Sequence, residues 1–129
     1  MKQVLFVVIG ASCGALFRWV LGMKYNHLYP SIPMGTLIAN LSGSFLMGGI
    51  VLLSIEHTII RRDLLLAITA GFLSSLTTFS TFSAEVFYLL NKREYWMGAM
   101  LASVHLFGSI AMVGIGYYIT KAIMQMGGK

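Results

Sequence analysis

Residues 64–90 read LLLAITAGFLSSLTTFSTFSAEVFYLL, and this run decides the fold. It is apolar at both ends, longer than the roughly 20 residues a helix needs to cross a bilayer, and crowded with hydroxyls in its middle. Seven of the ten residues from Ser74 to Ser83 are Ser or Thr. Such hydroxyls compete with the backbone for hydrogen bonds and favour local breaks in a helix. Inside hydrocarbon, a break is tolerated only where protein buries it or where it lines a cavity. The run therefore predicts a membrane-spanning helix, broken near its middle, beside a polar pathway. Carbonyls freed there could coordinate a cation, while freed N–H groups and hydroxyls could face an anion.

Three further apolar runs flank this one, at about 4–23, 33–55 and 95–123. With 129 residues, 57% hydrophobic and 10% charged, and a mean hydropathy of +0.82, the chain falls far below the roughly 25% charged residues of soluble domains. The reading is an all-α integral membrane protein of four transmembrane helices, one domain over residues 1–129. The connections are short: Lys24 to Ser31, Glu56 to Asp63, and Asn91 to Glu94. Tyr25, Tyr29, Tyr95, Trp96, Tyr117 and Tyr118 lie near span ends, where amphipathic rings prefer the headgroup level. Lys2 followed by an apolar stretch is not read as a secretory signal, because Arg18 and Trp19 interrupt the place where cleavage would fall. Cys13 is the single cysteine, which excludes an intramolecular disulfide and leaves it a small packing residue.

The formal charge is +5, but the basic residues stand in ones and twos at the ends of apolar runs, as in membrane proteins, and no nucleic-acid surface is expected. Four crossings put both termini on one side. Lys2, Arg61, Arg62, Lys121 and Lys129 then lie on that side, and Arg18, Lys24, Lys92 and Arg93 on the other. Orientation follows the side with more Lys and Arg, and five against four is almost no instruction. The chain is expected to insert both ways up and to pair as an antiparallel, dual-topology homodimer with a two-fold axis in the membrane plane. Small residues at four-residue spacing, Gly10 and Gly14, then Gly35, Ala39 and Gly43, with Ser44 and Gly48, let helices approach closely.

Polar residues at mid-span are functional candidates by default. Phe79 and Phe82 are three apart and share a helical face. Phenylalanines in a span usually pack, but a ring has a positive edge, and among hydroxyls two rings could present edges to a small anion. Asn40, near the middle of the second span, brings an amide with two donor hydrogens, or serves as glue between helices. His105 and Ser109, four apart, share a face of the fourth span; a packing histidine is the competing account. Glu85 could pair with a base, take up protons or sit at a wet vestibule. Arg18, the one basic residue inside the first span, is expected to snorkel to the interface. The buried polar set is mainly neutral donors with little acid, whereas a cation pathway calls for Asp or Glu rings. Chemistry alone points to a small anion.

Three motifs carry a resemblance that covers nearly the whole chain. Gly10-Ala-Ser-Cys-Gly-Ala-Leu-Phe-Arg18, Gly35-Thr-Leu-Ile-Ala-Asn40-Leu-Ser-Gly43-Ser and Thr77-Thr-Phe-Ser-Thr-Phe82 occur in the order and spacing of the Fluc (CrcB) fluoride channels, which the chain resembles. The resemblance implies a dual-topology homodimer with two antiparallel pores that lets fluoride leave a bacterial cytoplasm passively across the inner membrane. It implies Phe79 and Phe82 as the pore phenylalanines and Asn40 as the pore amide. Ser80, Thr81 and Ser83 would lie on or near a polar track, His105 and Ser109 along the pore, and Arg18 near a vestibule. It also implies a structural sodium ion at the dimer centre, held by the backbone carbonyls of Ser74 and Thr77. Relatives usually carry Gly-Gly where this chain has Ser74 and Ser75, and serine resists the positive φ that glycine allows.

Two other functions compete. A small proton-coupled multidrug exporter would need an acid deep in its first span, and there is none. A non-transporting accessory subunit would have no task for so dense a hydroxyl cluster, and buried polar groups are costly. No nucleophile, base and orienting group come together, so an enzyme is not expected.

Overall fold

In hydrocarbon every backbone polar group must find its partner within its own segment, and the four apolar runs accordingly form four long helical stretches. The computed structural model describes residues 2–29, 31–55 and 61–127. Its helices are α1 (Lys2–Tyr25), α2 (Met34–Ile55), α3 (Arg62–Leu66), α4 (Ser74–Leu76), α5 (Phe79–Asn91) and α6 (Tyr95–Gly127), with a π-helical segment, Ala67–Leu73, between α3 and α4. Among the described residues, four stretches are long and apolar enough to span a membrane: α1, α2, the composite Arg62–Asn91, and α6. These candidates run Lys2–Tyr25, Met34–Ile55, Arg62–Asn91 and Tyr95–Gly127. Within the connection expected from Glu56 to Asp63, residues 56–60 lie outside the described residues, as does Lys129 of the charge tally.

The third span is broken where the hydroxyls are densest. Thr77 (φ −80°, ψ 154°) and Thr78 (φ −148°, ψ 121°) are extended, so α4 ends and α5 restarts one step away. Thr78 caps the new helix: its Oγ1 accepts from the Thr81 N–H at 3.2 Å, the task preferred for a Thr at this position. Upstream, the wide π turn ends on Ser74, whose Oγ donates to the carbonyl of Thr69, five residues back, at 2.8 Å. Turns of this kind occur mostly near functional sites.

Packing follows the small-residue stripes. A Cβ on Gly10 would strike the Ala67 carbonyl and one on Gly14 the Phe72 carbonyl, so α1 lies with its backbone against the π segment. Gly48 of α2 and Gly116 of α6 face the backbones of Val113 and Phe45 in the same way. Ala39, Leu73 and Leu76 form the buried centre, surrounded by Leu21, Met47, Ile50, Ile68 and Phe72. Leu52, Leu89 and Leu101 are buried as well, while Leu5, Phe17, Phe87, Phe107 and Ile110 are among the large apolar side chains left exposed, as a lipid-facing surface requires.

The ends are tied by polar caps. Asn26 Oδ1 accepts from the Thr36 N–H at 3.1 Å, satisfying a donor in the first turn of α2. α5 closes with a Schellman motif, in which Arg93 N–H donates to the Leu90 carbonyl at 3.0 Å and Glu94 N–H to that of Leu89 at 2.9 Å. Arg93 takes the left-handed position (φ 64°) that glycine usually fills.

Candidate functional site

The carbonyls of Ser74 and Thr77 are among those that lose their helical donors at the break. In an uninterrupted helix the Thr78 N–H would return to the Ser74 carbonyl, and the Thr81 N–H to that of Thr77. Here the Thr78 N–H donates to Asn40 Oδ1 at 2.7 Å, and the Thr81 N–H goes to the Thr78 hydroxyl. Asn40 Nδ2 donates to the Thr78 carbonyl at 3.0 Å. One carboxamide from α2 thus meets both backbone groups of Thr78, replacing the partner its N–H has lost at the break and adding a second donor to the carbonyl that opens α5.

The same amide reaches α6. Asn40 Nδ2 lies 3.0 Å from His105 Nδ1. His105 is 3% exposed and Asn40 9%. The imidazole stacks on Phe82, with centroids 4.7 Å apart and planes 23° apart, and Phe82 meets Phe79 edge to face at 5.5 Å and 69°. Phe79, at 80% exposed, leads this aromatic row outward.

These groups line one groove of about 360 Å³ between α2, the break and α6. Of the residues expected at a site, Asn40, Ser74, Thr77, Phe79, Phe82, His105 and Ser109 border it. Leu106, Ile110 and Val113 supply an apolar wall on α6. Ser80, Thr81 and Ser83 are not among its lining. Ser83 Oγ donates to the Phe79 carbonyl at 2.8 Å. Thr78 Oγ1 donates to Thr81 Oγ1 at 3.0 Å and lies 3.4 Å from Ser80 Oγ. Hydroxyls at the start of a helix find partners in their own backbone and neighbours.

Arg18 and Glu85 stand apart from the groove. Arg18 Nε donates to the Ser75 carbonyl at 3.0 Å. Its charge therefore sits at the carbonyl end of the pre-break helix, where a cation is favourable. Glu85 Oε1 accepts from Thr36 Oγ1 at 2.6 Å. Among the described residues, Glu85 Oε2 and His105 Nε2 are the buried side-chain polar atoms without a hydrogen-bond partner.

Thr36 and Thr78 were not singled out in the sequence, although both lie in quoted motifs. Thr36 is four residues before Asn40, on the same face of α2, and that spacing was its available signal. Ser44, four residues beyond Asn40, borders the groove as well.

The arrangement offers two chemistries. The freed Ser74 and Thr77 carbonyls are hard oxygen donors of the kind that unwound membrane helices turn toward sodium. Among the described residues no group of three His, Cys, Asp or Glu side chains could hold a metal. The groove itself collects aromatic edges, an imidazole and the N-terminal end of α5, which carries roughly half a positive charge from its aligned peptide dipoles. That combination favours a small anion.

A family model described as "CrcB-like protein, Camphor Resistance (CrcB)" matches residues 5–117. A protein of Tolumonas auensis named fluoride-specific ion channel FluC is 46% identical over 124 residues, covering 95% of this chain and 96% of its own. The protein of that name from Chromohalobacter salexigens is 44% identical over 119 residues, 92% of this chain and 90% of its own. The one from Pectobacterium carotovorum is 40% identical over 116 residues, 90% of this chain and 91% of its own.

Proposed function

This chain belongs to the CrcB family, and from that premise we propose that it is a passive, fluoride-selective channel of a bacterial membrane. It is a multi-pass membrane protein, and its relatives carry the name of an ion channel over nearly their whole length. The observation that carries the reading is the row His105–Phe82–Phe79 laid along the groove beside the helix break. Where Phe82 and His105 stack, one face of each ring is covered while the edges stay free, and an edge's partial positive charge suits an anion.

On this reading fluoride leaves its water at the groove and passes along the ring edges, with Ser109 on the opposing α6 face and the amino end of α5 lowering the electrostatic barrier. Ser80, Thr81 and Ser83 support the start of α5, and in this role they help the pathway without lining it. Arg18 and Glu85 flank the route, Arg18 by holding the pre-break helix end and Glu85 by its bond to Thr36. Fluoride efflux from the cytoplasm down its gradient is the physiological direction.

The functional unit is an antiparallel homodimer in the inner membrane, with one groove per subunit and two pores. Its support is the near-balance of Lys and Arg on the two sides and the exposure of Phe79 on a single chain. Sodium at the dimer centre would be held by the Ser74 and Thr77 carbonyls, and when bound it supplies a fixed positive charge that ties the breaks together. The Ser74 hydroxyl is already committed to Thr69, so serine in place of glycine leaves the carbonyl available.

The test is fluoride efflux from liposomes holding the purified protein, read with a fluoride electrode against a chloride control, in sodium and in sodium-free buffer. Fast efflux of fluoride and not chloride is expected, with loss of flux when sodium is withdrawn. No efflux in sodium would overturn the channel reading. Flux unchanged without sodium would overturn the structural ion alone.

A further inference from the structure

Asn40 has no donor hydrogen left to give an ion. A primary amide carries two N–H hydrogens and one carbonyl oxygen. Its oxygen accepts from the Thr78 N–H, and its nitrogen lies within hydrogen-bond distance of both the Thr78 carbonyl and His105 Nδ1. The way round is dictated by Thr78, whose N–H can only donate and whose carbonyl can only accept. The second hydrogen of Nδ2 then goes to His105 Nδ1, which must be the unprotonated nitrogen. A neutral imidazole bonded in this way carries its hydrogen on Nε2.

That Nε2 is buried and has no partner among the described residues. A buried N–H without an acceptor is an expensive arrangement, rare in native structures and a mark of a missing ligand or a functional task. The imidazole is nearly parallel to the Phe82 ring, and both residues border the groove. Rings stacked in this way turn their edges, not their faces, to whatever lies beside the stack. An anion beside it would meet a phenyl edge and an N–H from adjacent layers.

We propose that the His105 Nε2–H is the direct hydrogen-bond donor to the dehydrated anion in this groove, and that Asn40 is a positioning residue which completes the broken helix and sets the imidazole tautomer. The inference rests on the channel reading above and deepens it. It separates two residues that share one hydrogen bond: Asn40 acts through Thr78 and His105, and His105 touches the ion. Fluoride, small and a strong acceptor, profits more from a single fixed donor than chloride does, so the tautomer bears on selectivity as well as on rate.

The experiment uses the full chain, purified into liposomes with ¹⁵N-labelled histidine. Wild-type fluoride efflux is measured on the same preparation by electrode, and the His105 ring nitrogens are observed by solid-state NMR in fluoride and in chloride. The expected spectrum has a bare Nδ1 and a protonated Nε2, with the Nε2 resonance moving on addition of fluoride and not of chloride. Asn40→Asp, which can only accept on that side chain, is expected to bring the hydrogen to Nδ1, a signature that mere loss of packing would not produce. In flux, His105→Gln keeps an N–H at the Nε2 position, whereas His105→Asn keeps an acceptor near the Nδ1 position and has nothing at Nε2. The asparagine variant is expected to be slower than the glutamine variant by about tenfold or more, the scale of losing a hydrogen bond to a charged group.

Efflux from wild type with an Nε2 resonance indifferent to fluoride would overturn the inference and leave the channel reading standing. Equal flux from the two variants would do the same. Absence of wild-type efflux would overturn both. Should the variants fail to fold, the wild-type spectrum decides alone.

Discussion

Asn40 holds Thr78 by both of its backbone groups, 2.7 Å from the N–H and 3.0 Å from the carbonyl, across 38 positions of sequence. The side chain stands in for the turn of helix that the third span lacks.

Removing it leaves the Thr78 N–H unpaired in an apolar setting, at about 1–3 kcal/mol, and takes from the Thr78 carbonyl the donor it has beyond the first turn of α5. Asn40→Ala is expected to lower the thermal unfolding midpoint in detergent and to stop fluoride flux. An unchanged midpoint would mean that water satisfies Thr78 and that the amide is not structural.

Phe79 and Phe82 contribute ring edges, which an aliphatic side chain of similar bulk lacks. Phe79→Ile and Phe82→Ile should each reduce fluoride efflux by about tenfold or more, since an aromatic contact is worth about 0.5–1.5 kcal/mol even between neutral rings and an anion gains more. Helical content by circular dichroism and the assembly state by size exclusion should not change. Wild-type flux from either variant removes the ring-edge role for that residue.

Gly114 and Gly116 sit two apart in α6 with opposite surroundings. A methyl on Gly114 meets nothing within 4 Å, whereas on Gly116 it meets the Phe45 carbonyl. Alanine is favoured over glycine in a helix by about 1 kcal/mol, so Gly114→Ala should raise the unfolding midpoint. Gly116→Ala should lower it, because two backbones must part to admit the methyl. Equal responses would show that α2 and α6 are not in close backbone contact.

Arg93 carries a left-handed backbone at the end of α5 without being glycine, a conformation that costs about 1–2 kcal/mol for a residue with a Cβ. Arg93→Gly should stabilise the fold and Arg93→Val destabilise it. Both remove the same charge, so a difference in unfolding midpoint reports conformation and not topology signals.

The crossings and the break were legible because each is a bulk property: apolar length sets a span, and a run of hydroxyls unsettles a helix. Which hydroxyls would face the groove was not legible. Ser83 bonds the Phe79 carbonyl one turn back, a local partner open to any helical serine and so not marked in the sequence. The partnerships Asn40–Thr78 and Arg18–Ser75 join residues 38 and 57 positions apart, and no local periodicity announces them. Nor does a seven-residue π segment, whose wider period is too short-lived to stand out from an α pattern.

That segment also has a bearing on chain length. A π turn takes up an additional residue over the path that an α turn covers. Loss of one residue anywhere in Ala67–Leu73 can be absorbed by rewinding to an α turn, with everything beyond it keeping its angular phase. The same loss between Ser74 and Phe82 has no such slack and swings the following side chains by about 100°, taking Phe82 off its imidazole. The third span is therefore tolerant of a one-residue deletion ahead of the break and intolerant of one at it.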